Sequence, residues 1–171
     1  QACHSVDKMA WAMGDRTPKL VNCLGGRAAR TGEESGNVYD HFAAIFEYEG
    51  SVRCQHTCRQ IDRCPGDNSD YVYGTKGWAV INGWTPTYLL RTHSGEKIWE
   101  YSGESDRDMY QTEHDELFAS IRAGTPINDC ERGARSSLMA IMARMAAYTG
   151  QTVRWDDAMN SKEDLMPPVV S

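Results

Sequence analysis

Between His4 and Met13 the apolar side chains Val6, Met9, Ala10 and Met13 recur at steps of three and four. That spacing predicts a helix with one apolar face, and Gly14 can end it. After Pro18 the stretch Lys19–Cys23 reads as a short strand running into the flexible Gly25-Gly26. From Val38 the period changes to two. Phe42, Ala44, Phe46 and Tyr48 share one face, and Tyr39, His41, Ala43 and Ile45 share the other. Apolar residues on both faces predict a strand covered on both sides. Glu49-Gly50 is a turn into a second strand, roughly Val52 to Ile61. The segment Asp62–Asp70, rich in Pro, Gly, Asp and Asn, reads as a loop. Tyr71–Tyr73 and Trp78–Asn82 flank Gly-Thr-Lys-Gly as a hairpin, with further short strands at Thr87–Arg91 and Lys97–Tyr101.

The last third is helical in pattern. Tyr110, His114, Leu117, Phe118 and Ile121 form a stripe from about Gln111, stopped by Gly124 and Pro126. Asn128 and Glu131 have capping-box spacing. Ala134, Leu138, Ile141, Met142, Met145 and Tyr148 then line a second stripe, closed by Gly150. Hairpins followed by two helices predict a single α+β domain over residues 1–171, an open, mainly antiparallel sheet with helices on one face. The other face is left bare, and an exposed apolar face of this kind predicts a homodimer or a higher homo-oligomer.

Composition narrows the partners. With 40% hydrophobic and 25% charged residues, the chain fits a soluble globular protein. It contains no run long and apolar enough to span a membrane. No signal-peptide pattern is visible, although the chain starts at Gln1 rather than at methionine, compatible with a processed form or a fragment. A cytoplasmic location is expected, or a periplasmic one if the parent carries an export signal. A formal charge of −6 without basic runs argues against nucleic acid and anionic membranes. The six cysteines, at 3, 23, 54, 58, 64 and 130, are irregularly spaced and read as free thiols. Cys54, His56 and Cys58 would share one strand face, with ligand types that suit zinc. Side chains two apart on a flat strand do not close a tetrahedron, so a polar patch is the reading kept and no metal is expected.

Several polar residues are candidates for chemistry. His4, Asp7 and Lys8 stand at i, i+3 and i+4 on one side of the first helix. Histidine is the side chain best suited to proton transfer near neutrality, so His4 is an acid/base candidate; a polar cluster at a helix end is the plain alternative. His114, beside Glu113, lies on the apolar stripe of its helix, where a satisfied core histidine is the favoured reading over a functional one. Asp40-His41 and Arg59 fall on predicted strands. An inward Arg is costly unless something anionic or hydroxyl-rich faces it, and an edge or interface salt bridge is the plain alternative. The sequence contains no GxGxxG after a strand, no GxxxxGK[ST], no GxSxG and no HExxH.

A set of segments in order resembles one known family. It comprises His-Ser-Val-Asp-Lys-Met-Ala-Trp-Ala-Met-Gly-Asp (4–15), Gly-Gly-Arg (25–27), Gly-Asn-Val-Tyr-Asp-His-Phe (36–42), Cys-Arg-Gln (58–60) and Gly-Thr-Lys-Gly (74–77). It continues through Glu-His-Asp-Glu-Leu-Phe-Ala-Ser-Ile-Arg-Ala-Gly (113–124), Arg-Met-Ala-Ala-Tyr-Thr-Gly (144–150) and Trp-Asp-Asp-Ala-Met-Asn-Ser (155–161). Together these are similar to the bacterial-type C-terminal domain of the glucose–fructose oxidoreductase/inositol dehydrogenase (Gfo/Idh/MocA) family. The resemblance implies a Rossmann domain joined to an open-sheet domain that dimerises through its sheet. It also implies hydride exchange between NAD or NADP and a sugar or polyol hydroxyl.

His4 matches the histidine of a family motif in which an acidic residue precedes it by four positions, a place before Gln1. On that resemblance His4 is the catalytic acid/base, Asp7 and Lys8 support it, and Arg59, His41 and His114 are substrate-side groups. Lacking the nucleotide-binding half, this chain alone is expected to hold no cofactor and turn over no substrate. The alternative is a stand-alone, non-catalytic saccharide-binding or dimerisation module.

Overall fold

The computed structural model describes residues 3–103 and 108–166. The chain divides into two compact units, 1–63 with 131–171, and 64–130. Both are α+β, each built on a four-stranded antiparallel sheet, so the open sheet expected from the hairpin pattern is present as two sheets.

In the first unit, helix α1 (Cys3–Ala12) buries Val6 and Ala10, the stripe that its spacing predicts. Gly14 and Asp15 both take positive φ, which turns the chain back toward the sheet. Strands β1 (Leu20–Gly26), β2 (His41–Glu47) and β3 (Arg53–Arg59) form a meander. A two-residue strand, β8 (Val153–Arg154), completes the order β3-β2-β1-β8. Helix α3 (Cys130–Thr149) contributes Met139, Met142, Ala143 and Ala146, and the short α4 (Trp155–Met159) contributes Ala158.

The core forms where these helices meet one sheet face. Val21, Phe46 and Met142 are wholly buried, with Tyr48, Ala44 and Met139 around them. Burying side chains of this size is worth about 1.5–3 kcal/mol each before the entropy of ordering is counted.

Two expectations about β2 are corrected. The strand begins at His41 rather than Val38, because Asp40 leaves the ladder to bind a neighbouring loop. Its second face is open within the chain: Ile45 on β2 is 42% exposed and Leu24 on β1 79%. Alternation therefore identified the apolar side chains on that face, and Leu24 and Ile45 there are exposed among the described residues.

In the second unit, β4 (Asp70–Tyr73), β5 (Gly77–Asn82), β6 (Thr87–Thr92) and β7 (Lys97–Glu100) form a meander in sequence order. Gly74 and Gly77 close the first hairpin as predicted, with the Gly74 amide bonded to the Gly77 carbonyl at 2.9 Å. A Cβ on Gly77 would stand 2.1 Å from the Arg91 carbonyl oxygen, so only glycine fits there. Helix α2 (Met109–Arg122) is capped by the Asp108 carboxylate, which accepts the Tyr110 amide. Its stripe of Leu117, Phe118 and Ile121 is exposed, as is His114, which is therefore not a core histidine here.

The capping box expected at 128–131 forms by half. Asn128 accepts the Cys130 amide, while Glu131 pairs forward with Arg135 instead of reaching back. The described cysteines are all free thiols. Among the described residues, no helix is long and apolar enough to cross a membrane, and no group of three or more His, Cys, Asp or Glu is placed to hold a metal ion.

Candidate functional site

His4 stands exposed in the first turn of α1, on a helix anchored by Val6 and Ala10 beneath it. Asp7 and Lys8, one turn on, are half-buried. The Asp7 carboxylate lies 3.7 Å from the Arg132 guanidinium, and Arg132 in turn sits over the Trp11 ring, 4.7 Å from its centroid. Arg132 was not singled out by sequence, because the contact joins α1 to a helix more than a hundred residues later. It fixes the side of α1 next to His4.

A second cluster lies at the start of β2. Asp40 is buried, with both carboxylate oxygens engaged. Oδ2 accepts the amides of Ala28, Ala29 and Arg30 at 2.7–2.8 Å, and Oδ1 is 3.0 Å from the Ala28 amide and 2.7 Å from His41 Nδ1. The Arg30 amide and the His41 ring, with the other loop amides, hold the Asp40 carboxyl well below the ordinary carboxylate range despite its burial. Such a concave run of backbone N–H groups is a natural anion seat, here filled by the protein's own side chain.

His41 itself is half-exposed. In register it faces Gly26 on β1 and Arg59 on β3. Since Phe42 packs toward the core, strand alternation puts His41 and Arg59 together on the opposite, outer face. α1 packs on the core side, so His41 and His4 belong to opposite sides of the sheet. His114 lies in the other unit, where its Nδ1 is 2.7 Å from the Tyr110 carbonyl oxygen.

Burial raises the Cys54 and Cys58 thiols, and also Cys23, where a backbone hydrogen bond from Ala43 partly offsets it. Cys54, His56 and Cys58 do alternate onto one half-buried face of β3, as expected.

The glycine pairs offer no seat for a dinucleotide. Gly25 lies in β1, where a Cβ would stand 2.8 Å from the His41 carbonyl oxygen. Gly77 is in a hairpin, and neither glycine opens a helix as pyrophosphate binding requires. Among the described residues, neither glycine pair forms the helix-opening loop that a dinucleotide pyrophosphate needs.

Residues 1–80 match the family model of the GFO/IDH/MocA C-terminal domain. No curated protein matches the chain. Among solved structures, the chain is similar to aldose-aldose oxidoreductase from Caulobacter crescentus, complexed with glycerol, at 20% identity and a TM-score of 0.70, over 90% of this chain and 45% of that one. It is also similar to UDP-N-acetylglucosamine 3-dehydrogenase GnnA from Acidithiobacillus ferrooxidans, at 17% identity and a TM-score of 0.70, over 86% of this chain and 46% of that one. The WlbA dehydrogenase from Bordetella pertussis, in complex with NADH and UDP-GlcNAcA, matches at 16% identity and a TM-score of 0.59, over 90% of this chain and 43% of that one. The chain thus spans somewhat under half the length of these structures.

Proposed function

We propose that this chain, whose residues 1–80 match the family model of the GFO/IDH/MocA C-terminal domain, is the substrate-binding and dimerisation portion of an NAD(P)-dependent oxidoreductase acting on a sugar or polyol hydroxyl. The observation that carries the reading is the family match, which includes the helix presenting His4 at its exposed first turn. Two similar structures are named for an aldose and for UDP-N-acetylglucosamine, and a third is a dehydrogenase in complex with NADH and UDP-GlcNAcA. This agrees with that substrate class.

In this role His4 takes the proton from the substrate hydroxyl as the carbon is oxidised, and returns it in the reverse direction. Asp7, tied to Arg132, fixes the first turns of α1 and so the place from which His4 reaches out. The substrate role rests on His4 alone: His41 and Arg59 share the outer sheet face, away from α1, and His114 belongs to the other compact unit. The oxidation itself requires a nicotinamide cofactor, and this reading gives its binding to a nucleotide-binding portion of a longer protein, in keeping with the chain spanning under half the length of the similar structures. The open face bearing Leu24 and Ile45 is the one given to the homodimer.

The test uses the full-length protein. His4→Ala should lower kcat for NAD(P)-linked oxidation of its sugar or polyol by ~10²–10⁴-fold with little change in KM. The isolated 171-residue chain should show no turnover. Full activity in His4→Ala, or saturable turnover by the isolated chain, overturns the reading.

A further inference from the structure

We propose that Trp11 is a stacking platform for a second sugar ring, two helical turns from the ring whose hydroxyl meets His4. The proposal rests on the reading of His4 as the acid/base and adds the size of the substrate, a saccharide of at least two rings.

Helix α1 keeps its buried and open residues on separate sides. Val6 and Ala10 are buried, whereas His4 is exposed and Trp11 is 57% exposed. Seven residues fall short of two full turns by about 20°, so Trp11 leaves the helix on nearly the same side as His4, about 10.5 Å along the axis. Helical side chains lean toward the N-terminus, which tips the indole back toward the His4 end. A hydroxyl on one pyranose and the centre of the ring linked to it are separated by a comparable length.

The indole is held without being covered. The Arg132 guanidinium lies over one face, 4.7 Å from the ring centroid, and is 3.7 Å from the Asp7 carboxylate one turn nearer His4. The exposed part of the ring is therefore the face turned away from Arg132. A large side chain already fixed in orientation loses little further freedom when a ligand settles on it. The C–H face of a pyranose suits such a flat, electron-rich surface, and its hydroxyls stay directed to water. A purely structural role explains less. Trp11 adds little to the core that Val6 and Ala10 enter, and the Asp7–Arg132 pair can form without the ring.

The experiment labels the full-length protein with fluorotryptophan, and Trp11→Tyr assigns the Trp11 ¹⁹F resonance by its loss. Without saccharide, that resonance is expected to show the solvent isotope shift of an exposed indole. Methyl glucoside supplies one ring; cellobiose, maltose and lactose supply two. At least one two-ring probe should move the Trp11 resonance and bind about tenfold more tightly than methyl glucoside in calorimetric titration. Trp11→Ala should abolish that preference, and Trp11→Tyr, which keeps a ring to stack on, should retain most of it. An indole shielded from solvent in the absence of saccharide means that another part of the protein covers it, and overturns the proposal. So does a resonance that no two-ring probe moves, or a preference that survives in Trp11→Ala. The titration is read without turnover, so it can fail apart from the acid/base reading. A silent Trp11 beside a loss of kcat in His4→Ala overturns the platform only.

Discussion

The Tyr148 hydroxyl accepts the backbone amide of Tyr39 at 3.0 Å and donates to the Asn37 carbonyl at 2.9 Å, while the two tyrosine rings stack with centroids 4.0 Å apart. This ties the last turn of α3 to the segment that enters the Asp40–His41 cluster. Tyr148→Phe keeps the stacking but leaves the Tyr39 amide without its acceptor. It should cost about 1 kcal/mol, read as a fall in Tm of about 2–4 °C in thermal unfolding. An unchanged Tm would mean that water replaces the hydroxyl at no cost.

Asp40 should make stability depend on acid. Its carboxyl is depressed in the folded state by the Arg30 amide, His41 and the other loop amides. The stabilisation is therefore full above the unfolded-state value of about 3.9 and is lost as the pH falls through the lower folded-state value. Denaturant unfolding at a series of pH values should show wild-type stability declining below about pH 4. In Asp40→Asn that part of the decline should be missing and stability lower throughout. A parallel decline in both proteins would remove Asp40 from the account.

The cysteines should separate by reactivity. Burial raises the Cys54 and Cys58 thiols, and Cys23 lies within the core, whereas Cys3 and Cys130 are exposed. Brief treatment with iodoacetamide followed by mass spectrometry should label Cys3 and Cys130 first, and Cys23, Cys54 and Cys58 only on unfolding. Early labelling of Cys54 or Cys58 would show that β3 opens readily.

The proposed dimer face can be charged without touching the core. Leu24→Asp combined with Ile45→Lys places unlike charges on two exposed side chains and should change stability by no more than about 0.5 kcal/mol. Sedimentation of the full-length protein should show a dimer becoming a monomer. A dimer that persists with both charges in place would locate the contact elsewhere.

How much of this was legible depended on the range of each signal. The stripe Val6, Ala10 and Met13 and the alternation Phe42, Ala44, Phe46 and Tyr48 lie in neighbouring residues, and the structure buries or packs them as a local pattern predicts. The stripe Leu117, Phe118 and Ile121 was equally visible and is exposed, because periodicity says which side is apolar and not what lies against it. For the candidate site, an Asp next to a His at a strand start was visible. The amides that bind Asp40 come from ten to twelve residues upstream in an irregular loop, and nothing in the residue types there marks them as donors. The Arg132–Asp7 contact and the two-residue strand β8 depend on partners over a hundred residues away, beyond any window in which spacing carries information.

That last separation has a consequence for how the chain is made. Every ladder in the second unit joins consecutive strands, so its strand pairing is complete within residues 64–130. The first unit is left unfinished on either side of it. Val21 meets Val153 only after the intervening segment has been synthesised, and Met139 and Met142 reach the core no earlier. At roughly 5–20 residues per second, the β1–β3 meander spends several seconds with its apolar face uncovered while the later hairpins emerge. The intervening segment thus sets the delay before the first unit can close, and this interval is where a nascent chain of this design is most open to chaperones and to aggregation.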